Sequence, residues 1–192
     1  VYMVNTLINK SQNKKSGFYT LESPELLKIL NENNRCDKKT LLLGVSYALL
    51  DLIDKQKIKN RNLTIIETGG MKGRQREITR KELHEKLSVG FGTSNIYSEY
   101  GMTELLSQAY SKSEEFFEPA STMRVYVRDV NDPFSYIKDG QTGGLNIIDI
   151  ANLYSCSFVE TKDLGSKTGN KFKVMGRFDN SDLRGCNLLS VR

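Results

Sequence analysis

Cysteine and histidine are scarce in this chain, and neither is arranged to hold a metal. Its three cysteines, Cys36, Cys156 and Cys186, form no CxxC pair, and the single histidine, His84, offers no ligand spacing with them. That argues against a protein zinc site. An odd number of widely spaced cysteines suits reduced thiols in a cytoplasmic compartment. A Ser–His–Asp triad would have to use His84, which lies among charged residues on a helical stretch and is expected at the surface. No apolar run approaches the roughly 20 residues needed to cross a bilayer, so no membrane span is expected, and no secretory signal opens the chain. The start, Val1-Tyr2-Met3, lacks an initiator methionine, so the chain is expected to be a piece of a longer protein.

What is present fits a folded protein. The 192 residues suffice for one domain or two small ones, and 38% hydrophobic with 27% charged residues argues against disorder. The net charge of +5 is concentrated at 54–86, where ten Lys/Arg face five Asp/Glu. No aromatics interleave with these basic residues, so a solvated face is favoured over a nucleic-acid surface.

Order along the chain gives the fold class. Residues 5–22 are rich in Asn, Lys and Ser and read as a loop anchored by Phe18 and Tyr19. Ser23-Pro24-Glu25 starts a helix, with serine as cap and proline at the first helical position. Thr40–Val45 reads as a buried strand, followed by a helix through Ala48, Leu49, Leu52 and Ile53. A second strand at 63–66 ends at Glu67-Thr68-Gly69-Gly70. Thr79 and Glu82 form a capping box that opens a helix with Leu83 and Leu87 on its apolar face. A third strand at 96–98 enters a turn at Tyr100-Gly101-Met102-Thr103-Glu104, with a helix expected after it. Alternation of strand and helix over 40–105 predicts right-handed crossovers and a parallel sheet flanked by helices. Beyond about 112 the pattern alternates in period two, at 123–128, 145–150 and 171–175, which predicts a small antiparallel sheet or distorted barrel. The expected division is an α/β subdomain over 1–112 and a β-rich one over 113–192.

Ligands of parallel sheets sit beyond the carboxyl ends of the strands, and Gly69-Gly70 and Tyr100-Gly101 both fall there. The glycines allow close backbone approach. Tyr100 offers a flat face, Thr103 a hydroxyl for a phosphate oxygen and Glu104 a hard oxygen for magnesium. An ordinary strand–turn–helix corner, with Glu104 answering the helix dipole, is the plainer reading of the same residues. Asp163, before Leu164-Gly165, could accept from two adjacent hydroxyls or cap a turn. Lys72, Arg74 and Arg76 could meet phosphate or face water.

Tyr-Gly-Met-Thr-Glu at 100–104 resembles the signature of the acyl-adenylate-forming enzymes. Glu67-Thr68-Gly69-Gly70, Thr161-Lys162-Asp163-Leu164-Gly165 and Gly176-Arg177-Phe178-Asp179 match later motifs of that family in order. Within it, 67–74 together with 100–105 are most similar to the acyl-protein synthetases, the fatty-acid-activating subunit of the bacterial bioluminescence fatty acid reductase. The resemblance implies half of an adenylating-enzyme N-terminal domain, with ATP and Mg2+ as cofactors. A long-chain fatty acid would be the substrate and an acyl reductase a protein partner. It implies that 67–70 lines the adenine and acyl pockets, that Tyr100 stacks on adenine, that Thr103 binds phosphate and that Glu104 holds magnesium. Asp163 and Arg177 would contact ribose. Asp179 would be a hinge, although 180–185 lacks the family's lysine and is one residue short of its pattern. Cys186, assisted by Arg184, would accept the acyl group as a thioester; its plainer reading is a small buried core residue, and Cys156 reads as structural. The family's glycine- and serine/threonine-rich phosphate loop is missing, so the 192-residue chain alone is expected not to catalyse adenylation. Two other readings stay open: an acyl-CoA or aryl-CoA ligase of the same superfamily, and a noncatalytic binding module.

Overall fold

The computed structural model describes residues 1–56, 58–69, 78–112 and 116–178. Strand and helix alternate as expected. Strand β1 (Thr40–Val45), helix α3 (Ser46–Lys55), β2 (Leu63–Thr68), α4 (Arg80–Phe91) and β3 (Ile96–Tyr100) follow one another. Helices α1 (Tyr2–Ser11) and α2 (Pro24–Arg35) precede them. Strand β1 pairs in parallel with β2, and β2 with β3. Two short strands, β4 (Ala109–Ser111) and β5 (Glu118–Pro119), complete a five-stranded sheet in the order β1-β2-β3-β4-β5, both added antiparallel.

The first core forms where the helices cover this sheet. Leu63 and Ile65 of β2 and Ile96 of β3 meet Leu49, Leu50 and Leu52 of α3 and Leu83, Leu87 and Phe91 of α4, with Leu26 and Leu30 of α2 alongside. Thr79 caps α4 by accepting from the Glu82 N–H at 3.2 Å, as the capping box predicts. Helices α3 and α4 approach closely because residue 90 is glycine: a Cβ there would lie 2.6 Å from the Ile53 Cβ. Pro24 opens α2 as expected, but the Ser23 side chain makes no capping hydrogen bond.

Three expectations change. The polar segment over 5–22 is not all loop, because α1 already occupies Tyr2–Ser11. Met3, Val4, Leu7 and Ile8 give it a stripe at helical spacing that the Asn- and Lys-rich composition hides, and no residue of α1 is buried. Of the two expected anchors only Tyr19 packs against the core; Phe18 is exposed. No helix follows Glu104: the chain turns and returns as β4 against β3, with Ser98, Glu99 and Tyr100 opposite Ser111, Tyr110 and Ala109.

The second sheet is antiparallel throughout, in the order β6 (Met123–Arg128), β7 (Gly143–Asp149), β8 (Phe158–Thr168), β9 (Lys171–Arg177). Its inner residues, among them Met123, Val127, Leu145, Ile147, Phe172 and Val174, form a second core with Tyr100, Leu105 and Phe117. Backbone bonds between Phe117 and Phe172, at 2.7 and 3.1 Å, join the two sheets directly. The Tyr-Gly-Met-Thr-Glu segment therefore lies at the seam, with Tyr100 and Leu105 buried on either side of its exposed turn. No helix among the described residues is long and apolar enough to cross a membrane.

Candidate functional site

Strands β2 and β3 run parallel and end side by side, which brings Thr68 and Glu99 into register. Beyond Thr68, Gly69 takes φ of 80°, a backbone conformation that favours glycine, so the main chain turns here without a side chain in the way. Beyond Tyr100, Gly101 leads into a turn in which the Leu105 N–H donates to the Met102 carbonyl at 3.1 Å. Thr103 and Glu104 are exposed on that turn.

The second sheet supplies the other half. Asp163 lies within β8 rather than at a turn, and Arg177 opposes it on β9. The Tyr100 hydroxyl donates to Asp163 Oδ2 at 2.8 Å, and Arg177 Nε lies 3.5 Å from Asp163 Oδ1. Thr161 donates its hydroxyl to the Leu145 carbonyl at 2.7 Å and accepts from the Asp163 N–H at 3.1 Å, which fixes the strand beneath the carboxylate. Burial raises the Asp163 carboxyl above its ordinary value, while the Tyr100 hydrogen bond and the Arg177 charge pull it down. Burial, followed by the Asp163 charge and hydrogen bond, pushes the Tyr100 phenol well above its ordinary value.

The sequence places Tyr100 with an open face for stacking, and the structure differs. The ring is fully buried, edge-on to Phe172 at 5.1 Å and tilted against Phe117 at 5.8 Å. In this arrangement its polar contribution runs through the hydroxyl on Asp163. Gly70 and Cys186 lie outside the described residues, as do Asp179, Arg184 and the basic residues Lys72, Arg74 and Arg76. Cys156, read as structural, is exposed, with its thiol 3.1 Å from the Phe158 carbonyl.

A cavity of about 730 Å3 opens beside this seam, lined by Tyr97, Gln108, Tyr110, Phe116, Lys112 and Lys171, among others. Gln108 ties it to the turn, since a Cβ added at Gly101 would touch the Gln108 Cγ at 3.5 Å. Glu99, half-buried between Tyr110 and Thr68, accepts from their hydroxyls at 2.9 and 3.2 Å.

A family model for the acyl-protein synthetase LuxE matches residues 19–191. The chain belongs to the LuxE acyl-protein synthetase family. No curated protein matches it in sequence. Solved structures of adenylate-forming enzymes share its fold. ATP-bound MatB from Rhodopseudomonas palustris is 14% identical with a TM-score of 0.54, the match covering 80% of this chain and 32% of that one. O-succinylbenzoate coenzyme A synthetase from Bacillus subtilis, in complex with AMP, is 17% identical with a TM-score of 0.54, covering 83% and 34%. The amide bond synthetase McbA from Marinactinospora thermotolerans is 13% identical with a TM-score of 0.52, covering 78% and 34%. This LuxE-family chain thus spans about a third of the length of the structures it resembles.

The LuxE-family chain also carries buried polar residues near the site, Glu67 and His84 among them, for which the sequence reading gives no such place. Behind the strand ends, Glu67 is buried and accepts from the Ser46 hydroxyl at 2.7 Å; that hydroxyl also lies 2.5 Å from the Gly69 carbonyl. His84 is buried as well, contrary to its expected surface place, with Nε2 2.8 Å from the Ser98 hydroxyl and 3.9 Å from Glu67 Oε1. The residue types suggest a hydrolytic triad, but the geometry does not provide one. Ser98 is 1% exposed, and both Ser98 and Glu67 approach the same ring nitrogen, so no relay runs through the imidazole. Burial lowers the Arg80 guanidinium, with the Glu67 charge opposing it, and this cation lies 4.6 Å above the Phe117 ring. The cluster instead braces the ends of β1, β2 and β3 behind Gly69. Its signal in the sequence is period two: Leu63, Ile65 and Glu67 alternate onto one buried face.

Proposed function

We propose that this LuxE-family chain is part of an ATP-dependent acyl-protein synthetase, which activates a long-chain fatty acid as an acyl-adenylate and passes it to a cysteine thiol. The observation that carries this reading is the meeting of Tyr100, Asp163 and Arg177 at the strand ends, beside the exposed Thr103–Glu104 turn. In the first step a carboxylate oxygen of the fatty acid attacks the α-phosphorus of ATP and pyrophosphate leaves. In the second, a thiolate attacks the acyl carbonyl, AMP leaves, and a thioester remains. The protein's task in the first step is positioning and neutralisation of phosphate charge.

Each residue has a role in that chemistry. Asp163 accepts from the two ribose hydroxyls, with Arg177 against its Oδ1 and Tyr100 on its Oδ2 holding its orientation. Gly69, Gly70 and Gly101 let the backbone approach the nucleotide, and Thr103 donates to a phosphate oxygen. Glu104, exposed on the turn, would hold Mg2+, an ion that prefers hard oxygen ligands. When bound, the ion neutralises phosphate charge. The cavity walled by Tyr97, Tyr110 and Phe116 is the place for the acyl chain, and its volume falls within the range of small-molecule sites. Cys186 supplies the thiol, and a reductase partner would take the thioester onward.

The test uses the full-length protein with ATP, magnesium and tetradecanoic acid, followed by intact-mass measurement. The expected result is an acyl adduct that hydroxylamine removes and that Cys186→Ser abolishes. An adduct that survives Cys186→Ser moves the nucleophile elsewhere. Turnover that depends on coenzyme A, with no adduct, makes the protein a ligase instead. Nucleotide-independent behaviour throughout leaves a noncatalytic binding module.

A further inference from the structure

The turn carrying Thr103 and Glu104 is exposed and belongs to no helix or strand, yet its main chain is held from below. Asp149, the last residue of β7, is fully buried. Its Oδ2 accepts from the Leu106 and Ser107 N–H groups, each at 2.8 Å. Its Oδ1 accepts from the Ser107 hydroxyl at 2.6 Å and the Ala151 N–H at 3.1 Å. The Ser107 hydrogen is thereby committed to Asp149, so the Thr122 hydroxyl, 2.6 Å away, donates to Ser107. Three residues on, in the 3-10 turn Ile150–Asn152, Asn152 donates from Nδ2 to the Glu104 carbonyl at 2.7 Å and to the Cys156 carbonyl at 2.9 Å. Its own Oδ1 accepts from Ser155, so the amide cannot flip without losing all three bonds.

Four bonds therefore hang the chain from Glu104 to Ser107 on two buried side chains, one at the end of β7 and one in the turn that follows it. A buried carboxylate is an expensive way to satisfy two backbone N–H groups unless their position matters. Burial acts to raise the Asp149 carboxyl, but the Ser107 hydroxyl and the N–H groups of Ser107, Leu106 and Ala151 together outweigh it and hold the group below its ordinary value. The anion is thus well solvated by fixed dipoles and keeps them fixed in turn.

We propose that Asp149 and Asn152 are positioning residues that set the Thr103–Glu104 turn for phosphoryl chemistry, an inference that rests on the adenylation reading above. Neither residue touches a reacting atom. Their effect is on where the Thr103 hydroxyl and Glu104 carboxylate stand, and a displacement of about 1 Å there is worth roughly 100-fold in rate.

The experiment compares the full-length protein with Asp149→Asn and Asn152→Ala. The asparagine keeps the shape but must point an N–H2 at two donors on one side or the other, while Asn152→Ala releases the Glu104 and Cys156 carbonyls and the Ser155 hydroxyl and leaves the Asp149 bonds in place. Three readouts are taken: hydrogen exchange of the Leu106 and Ser107 amides, calorimetric binding of ATP, and the rate and KM of carboxylate-dependent pyrophosphate exchange. In Asp149→Asn the two amides exchange faster, kcat falls about 10- to 100-fold, and ATP affinity and KM stay within about threefold of wild type. Asn152→Ala gives a smaller fall of the same kind, and being the milder change it keeps the question open to test where Asp149→Asn fails to fold. Amides that loosen while kcat holds would overturn the inference, as would a loss of rate that merely follows the unfolded fraction. A wild-type protein without exchange activity removes the adenylation reading itself, whereas an active wild type with unaffected variants removes only the positioning role.

Discussion

Glu104→Gln in the full-length protein is expected to lower carboxylate-dependent pyrophosphate exchange by about 100- to 1,000-fold, the scale of losing one preorganised charge-stabilising group. Glu104 is exposed, and the bond that ties this position to the second sheet runs from Asn152 to its backbone carbonyl. Glutamine preserves that bond and the side-chain length, so stability should stay within about 0.5 kcal/mol of wild type. Only the anionic oxygen is lost. If Glu104 holds magnesium, raising the magnesium concentration recovers part of the rate. Exchange at wild-type level in Glu104→Gln would remove this residue from the chemistry, and a fall accompanied by an equal loss of folded protein would make its role structural.

The second large effect concerns the seam. Phe172→Ala is expected to cost about 3–5 kcal/mol, the usual range for emptying a buried aromatic site. Phe172 is fully buried, stacked on Phe117 at 5.5 Å and edge-on to Tyr100 at 5.1 Å. Its backbone carries both bonds that link the sheets through Phe117. The ring thus packs against Tyr100, and Tyr100 in turn holds Asp163. Urea unfolding should show the midpoint falling without a change in slope, and ATP binding should weaken beyond what the unfolded fraction explains. A cost under about 1 kcal/mol would mean that the ring leaves no cavity behind and that the seam is not the core described here.

The parts of this fold that the sequence declares are those in which local pattern and tertiary partner agree. Helices α3 and α4 carry apolar residues at the period of their element, and Thr79 caps α4 by the expected bond, whereas the apolar run Thr40–Val45, expected to be buried, forms the edge strand β1 with no buried residue and Leu41 exposed. The return of the chain as β4 is harder to see. Glu104 suits a first helical turn, but Leu105 and Leu106 are adjacent rather than three or four apart, and residues 107–111 alternate between buried and half-buried. Helical neighbours also mislead when read along the chain. Lys81, Glu82, Glu85 and Lys86 surround His84 in sequence, while Arg80, Leu83, Leu87 and Phe91 share its buried face.

The site follows the same logic. Tyr100, Asp163 and Arg177 are brought together from positions 63 and 77 residues apart, a meeting that order of motifs suggests and only the seam between sheets explains. Asp149 continues the alternation of Leu145 and Ile147 onto a buried face, so a carboxylate in that register is itself a sign of a satisfied interior network. Asn152 gives no such sign, because its bond to the Glu104 carbonyl depends on where the turn at 101–107 is placed.

The most direct measurement is exchange of labelled pyrophosphate into ATP by the full-length protein, with and without a long-chain fatty acid. Acyl-adenylate formation is reversible chemistry at the α-phosphorus, so label should enter ATP only when magnesium and the carboxylic acid are both present. Absence of label with every carboxylic acid tried, in a protein that is folded and binds ATP, would contradict acyl-adenylate formation at the seam between the two sheets.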